Sequence, residues 1–220
     1  MLSIKIVYVD CNDNKNKEMV ITSEHESVYS FRQLENHRMN DDEFYEFCLL
    51  NDQIKFERDC SGNILLMPNS GGILGIMKTE SNANIGIWNR KNKLGKTFDS
   101  STAFRLPSSA VRSPDAAWIS NERWNALTLE EQTKFPPLCP EFVIELMSNS
   151  DDLKYAVEKV YKWVDNGCQL AWLIFPKGEE VRIFRANGTV DLIVGFDNIL
   201  SGENILPNLE FDLSFLKSTT

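Results

Sequence analysis

Histidine is nearly missing: His25 and His37 are the two in 220 residues, and both precede the segment with the strongest core patterns. A Ser-His-Asp or Cys-His hydrolase needs an imidazole beside its nucleophile, so that chemistry is poorly supported. Cysteine pairing is missing as well. The five cysteines, at 11, 48, 60, 139 and 168, are odd in number with no two at C-x-x-C spacing, which fits reduced thiols better than a disulfide framework or a zinc site. No apolar run approaches the roughly 20 residues needed to cross a bilayer; residues 171–175 are typical of the longest. The apolar stretch at residues 6–9 is too short for a signal peptide, so a cytoplasmic setting without membrane contact is expected. No P-loop, dinucleotide fingerprint or internal repeat occurs. Basic excess is absent too: 23 Lys and Arg face 32 Asp and Glu, a net charge of −9. That balance runs against a dedicated tight binder of nucleic acid, although a bound metal ion would neutralise site carboxylates and a local basic patch can sit on an acidic whole.

What is present is an ordinary globular composition, 42% apolar and 25% charged, with enough length for one α/β core and a small addition. Residues 2–9 and 18–22 are β-branched segments around a polar stretch and predict a hairpin. The expected division is an N-terminal hairpin and linker over residues 1–38 and the main domain over 39–217. Asn40, with Glu43 at the reciprocal position, predicts a helix start, and Phe44, Phe47 and Cys48 follow at helical spacing. Residues 54–59 and 64–67 read as a second hairpin. After the break at residues 68–72, Ile76, Ala83, Ile87 and Trp88 suggest a helix over residues 74–89. Strands are expected at 98–106 and 116–119, with a loop or short helix between 121 and 135. The nearly continuous apolar segment 140–147 is of the kind buried on both faces of a sheet. A helix with Leu153, Ala156, Val157, Val160 and Val164 on one stripe then ends at Asn166-Gly167. A strand at 170–175 completes a βαβ-like unit, and 181–185 and 190–194 add antiparallel strands.

Three residues in this pattern could carry chemistry. Glu145 lies inside Phe-Val-Ile-Glu-Leu-Met, where an ionised carboxylate costs several kcal/mol unless paired or metal-bound; alternation places it on one face with Glu141, Val143 and Met147. Its plain alternative is a salt bridge at a strand end. Asp115 follows Pro114, which cannot donate to a ladder and so marks a strand mouth; on its own it reads first as a turn residue. Two carboxylates joined by neighbouring strands can hold a magnesium ion and leave room for water and phosphate. Lys159 falls about 240° from Leu153 on the helical wheel, at the border of the apolar stripe, whereas Lys162 points away. Snorkelling at the surface is the alternative for Lys159.

The stretch Ser113-Pro114-Asp115-Ala116-Ala117-Trp118, the segment from Pro140 to Asp151, then Lys159, Gly167, Trp172-Leu173-Ile174 and Pro176 resemble the Uma restriction-endonuclease-like family of the PD-(D/E)xK nuclease superfamily. Upstream, Phe56-Glu57-Arg58, Gly62, Met67-Pro68 and Gly71-Gly72 match the same family, so the likeness runs from about residue 40 to 216. The resemblance implies a restriction-endonuclease-like α/β fold with a central mixed sheet flanked by helices. It also implies that Asp115 and Glu145 bind magnesium, with manganese as a substitute, that Lys159 supplies the superfamily's lysine, and that Glu57 adds a third carboxylate. A solvent-facing strand residue is the other reading of Glu57. The implied activity is endonucleolytic hydrolysis of DNA, with RNA a weaker candidate because no stacking aromatics stand on a basic strand face. A homodimer would serve a double-strand cut. Position 147, where the superfamily motif places Lys, holds Met147; Ile73-Leu74 and Asn149 also depart from the family pattern. These departures and the acidic charge keep open a catalytically silent nuclease fold that binds DNA or protein.

Overall fold

The computed structural model describes residues 39–148 and 151–219, and the strands within the first 38 residues. The chain divides into two compact units, Met1–Met67 and Pro68–Thr220.

In the first unit, β1 (Lys5–Val9) and β2 (Glu18–Thr22) pair antiparallel as the alternation predicts. A third strand, β3 (Val28–Phe31), adds to β2. The loop expected across residues 11–17 lies outside the described residues. Helix α1 (Asp41–Leu50) starts on the expected capping box: Asn40 Oδ1 accepts from the Glu43 amide at 3.0 Å, and Glu43 Oε2 accepts from the Asn40 amide at 2.7 Å. This reciprocal pair satisfies two donors that a helix start otherwise leaves orphaned. Phe44 and Phe47 are buried, and Phe47 packs on Phe56 of β4 (Lys55–Arg58), which pairs antiparallel with β5 (Ile64–Met67).

The second unit opens with α2 (Gly72–Asn92), followed by β6 (Gly95–Asp99), β7 (Phe104–Arg105), β8 (Val111–Arg112) and β9 (Ala116–Ser120). Two short helices, α3 (Asn121–Asn125) and α4 (Leu129–Thr133), lead to β10 (Phe142–Leu146), α5 (Leu153–Asp165) and β11 (Leu170–Phe175). The chain continues through β12 (Glu180–Arg185), β13 (Val190–Val194), β14 (Ile199–Ser201) and β15 (Glu210–Asp212). Six of these strands form one mixed sheet in the order β13-β12-β11-β10-β9-β6. Only β10 and β11 run parallel within it, joined through α5; the other neighbours are antiparallel. This parallel pair is the βαβ unit foreseen from the apolar segment at 140–147.

Alternation in β10 sorts the two cores. Phe142, Ile144 and Leu146 join Trp118, Trp172 and α2's Met77, Ile85 and Trp88 on one face. Val143 and Met147 join Ala117, Ile119, Leu173 and α5's Ala156, Val160 and Trp163 on the other. A strand with apolar residues on both faces can lie only between two layers.

Two sequence expectations need correction. The stretch expected as one strand over 98–106 is broken, because Asp99 accepts hydrogen bonds from the Ser101 amide and hydroxyl and ends β6 in a turn. The helix expected at 74–89 is α2, longer at both ends, and it buries a different face. Met77, Ser81, Ile85 and Trp88 point inward, whereas Ile76 and Ile87 are 52% and 62% exposed. The buried stripe includes a serine, which an apolar count passes over.

Candidate functional site

Strand pairing brings Asp115 and Glu145 together. In the β9–β10 ladder, Phe142 faces Trp118, Val143 faces Ala117 and Ile144 faces Ala116; Asp115 and Glu145 each stand one residue beyond that last rung. The Asp115 amide donates to the Ile144 carbonyl at 3.0 Å, one residue out of step with that register. The Asp115 charge acts on Glu145, so the two carboxylates lie near one another.

Each carboxylate is held in the same way, by one neutral N–H and one ammonium. Asp115 Oδ2 accepts from the Leu146 amide at 2.7 Å, and Oδ1 lies 2.8 Å from Lys78 Nζ. Glu145 Oε1 accepts from the Trp163 indole at 2.7 Å, and Oε2 accepts from Lys159 Nζ at 2.8 Å. Both acids are buried, with Asp115 8% and Glu145 5% exposed. Burial pushes the Glu145 carboxyl from 4.5 up to about 7. The Lys159 charge pulls it down, the Asp115 charge adds to the rise, and the hydrogen bonds from Lys159 and Trp163 oppose it.

Lys159 therefore sits beside Glu145, at the edge of the buried stripe of α5. Lys162 is exposed. Glu57 belongs to the first unit, on β4, where its side chain is fully buried. Among the described residues, no three His, Cys, Asp or Glu side chains form a metal-holding group. Three partners of the pair were not singled out from the sequence. Trp163 stands four residues after Lys159, one helical turn on, and that spacing was the available signal. Lys78 and Asn82 are likewise one turn apart on α2; Asn82 Nδ2 donates to the Asp115 carbonyl at 2.9 Å. Their signal was hidden by the misjudged face of α2.

The donor set suits a hard divalent ion in kind. Two carboxylates supply oxygen ligands, and magnesium is typically held by one or two carboxylates with water and substrate oxygens completing the shell. The mutual repulsion that helps raise Glu145 is one that a shared cation would relieve. A cavity of about 550 Å³ opens at the carboxyl ends of β10 and β11. Its walls include Gly71, Gly72, Met77, Met147, Ser148 and Lys177. Met77 adjoins Lys78 in sequence, and Met147 follows Glu145 by two residues.

A mixed sheet with a helix layer on each face and paired acids where β9 begins and β10 ends fits a restriction-endonuclease-like fold. The sequence profile of the Uma2 family, "Putative restriction endonuclease", matches residues 41–214, and the chain belongs to that family. Among solved structures, the chain is similar to a crystal structure titled as a "putative nuclease belonging to DUF820" from Anabaena variabilis. The two share 17% identity with a TM-score of 0.67, over 82% of this chain and 98% of the other. No curated protein matches the chain. No helix among the described residues is long and apolar enough to cross a membrane.

Proposed function

We propose that this protein is a magnesium-dependent endonuclease that hydrolyses phosphodiester bonds, with DNA as the substrate. The observation that carries this reading is the buried pair Asp115 and Glu145, each with an ammonium on one oxygen. A bound magnesium or manganese ion would supply Lewis acidity and a nucleophilic water near neutral pH. Asp115 and Glu145 would hold it through the oxygens that now face Lys78 and Lys159. The neutral donors Leu146 N–H and Trp163 Nε1–H each hold one oxygen and so fix the orientation of both carboxylates. Lys159, with its side chain 17% exposed, orients the attacking water or offsets charge on the phosphoryl oxygens as the new P–O bond forms. The opposite P–O bond breaks, and the leaving oxygen takes a proton from solvent. A double-strand cut would call for two copies, and the free thiols of the described cysteines suit a cytoplasmic setting.

The test is cleavage of plasmid and linear DNA with magnesium or manganese by wild type, Asp115→Ala, Glu145→Ala and Lys159→Ala. We expect losses on the order of 100-fold or more in each variant; unchanged activity in all three would sink the assignment. A second reading is favoured by Met147 and by the occupancy of all four carboxylate oxygens with hydrogen bonds: a silent nuclease fold that binds DNA or protein. Absence of both cleavage and cation binding at millimolar concentration would select it.

A further inference from the structure

The groups that hold the two carboxylates of the site differ in which of them could leave. Leu146 N–H is locked in the β10 backbone, and the Trp163 indole is buried within the α5 core at 1% exposure. Neither can step aside for another ligand. The ammonium on Asp115 can. Lys78 has a side chain 20% exposed and a flexible stem, and it has a second anchor: Nζ lies 2.7 Å from Ser70 Oγ. Ser70 immediately precedes Gly71-Gly72, the turn that walls the cavity, and a Cβ at either glycine would meet nothing within 4 Å. Lys78 could therefore release Asp115 and keep its bond to Ser70, the residue next to the cavity-lining Gly71.

We infer that Lys78 occupies the cation position on Asp115 Oδ1 and is handed to a phosphate of the substrate when a divalent ion takes that position. The inference rests on the metal-dependent reading above. It gives the site a basic group from α2, on the side away from α5, in a chain whose position 147 is the uncharged Met147. An ammonium 2.8 Å from a half-held carboxylate is a competitor for any cation that seeks the same oxygen. Displaced by that cation, the same ammonium keeps Ser70 but loses its carboxylate acceptor, and a phosphate oxygen supplies another.

The test is calorimetric titration of manganese into wild type, Lys78→Met, Asp115→Ala and, as a control for lost surface charge, Lys162→Met. Inorganic phosphate is then titrated into each manganese-loaded protein. With Lys78 gone the competitor is gone, so manganese should bind Lys78→Met about tenfold more tightly, and phosphate about tenfold more weakly, than wild type. Lys162→Met should match wild type in both. A structural ion pair would leave phosphate binding unmoved, and unchanged manganese or phosphate affinity in Lys78→Met overturns the inference. Ser70→Ala keeps the Asp115 pair intact and serves if Lys78→Met folds poorly. It should weaken phosphate binding while leaving manganese binding as in wild type; unaltered phosphate binding overturns the inference. If Asp115→Ala loses manganese while Lys78→Met equals wild type, the hand-over fails and the metal site stands. If Asp115→Ala binds manganese like wild type, the metal assignment itself fails and takes the inference with it.

Discussion

Glu145 shows how one buried carboxylate shapes its surroundings. Its two oxygens meet the Trp163 indole and the Lys159 ammonium, and neither partner has any reason to converge there without it. Trp163→Phe keeps an aromatic ring of lesser volume and removes the N–H. The variant should lose on the order of 3 kcal/mol of stability in urea denaturation, combining the unmade bond with a partial cavity. A loss below about 0.5 kcal/mol would show that the indole only packs. The raised Glu145 carboxyl also has a direction in pH. Burial favours its protonated form up to about pH 7, and a cation must displace that proton. Cation affinity should therefore rise with pH through that range and level off above it, read by calorimetry from pH 5.5 to 8. Affinity that is flat across this range would mean that the ion does not use Glu145.

At the level of elements, close approach decides what can be changed. Gly95 opens β6 where a Cβ would overlap the Ile119 carbonyl and the Trp118 ring. Its carbonyl and amide bond Asn89, which also accepts from the Trp118 indole. Gly95→Ala must push β6 from β9 or displace Trp118, so we expect a cost of about 2–4 kcal/mol, measured as a drop in denaturation midpoint. An unchanged midpoint would refute the contact. The same scale explains what was legible in the sequence. The β10–α5–β11 unit was readable because its strands are apolar on both faces and its helix carries a full stripe. A proline marked Asp115 at a strand mouth, an alternation of two put Glu145 inside a buried strand, and a wheel angle set Lys159 beside the apolar stripe; only the family resemblance joined the three as a site. Lys78 was not legible, because α2 buries Ser81 and exposes Ile76 and Ile87, which inverts the usual signal. Asn82 joins Asp115 across 33 positions of sequence, a distance no local pattern reports. The third strand β3 and the small β14–β15 pair were missed for a simpler reason: runs of three or four residues carry too little periodicity.

Across the whole molecule, the proposed function asks an acidic chain to meet a polyanion. The net charge of −9 opposes long-range attraction to DNA, so engagement would depend on local groups such as Lys78, Lys159 and Lys177 and on divalent ions that neutralise Asp115 and Glu145. The family membership and the sheet order set the frame, while the acids at the end of β10 and the mouth of β9 set the chemistry proposed for it. The most direct measurement is anomalous diffraction from crystals soaked in manganese. We expect an ion bridging Asp115 Oδ1 and Glu145 Oε2, with Lys78 moved off the aspartate. Soaked crystals with both carboxylates still bound to their lysines and no ion between them would contradict the metal site.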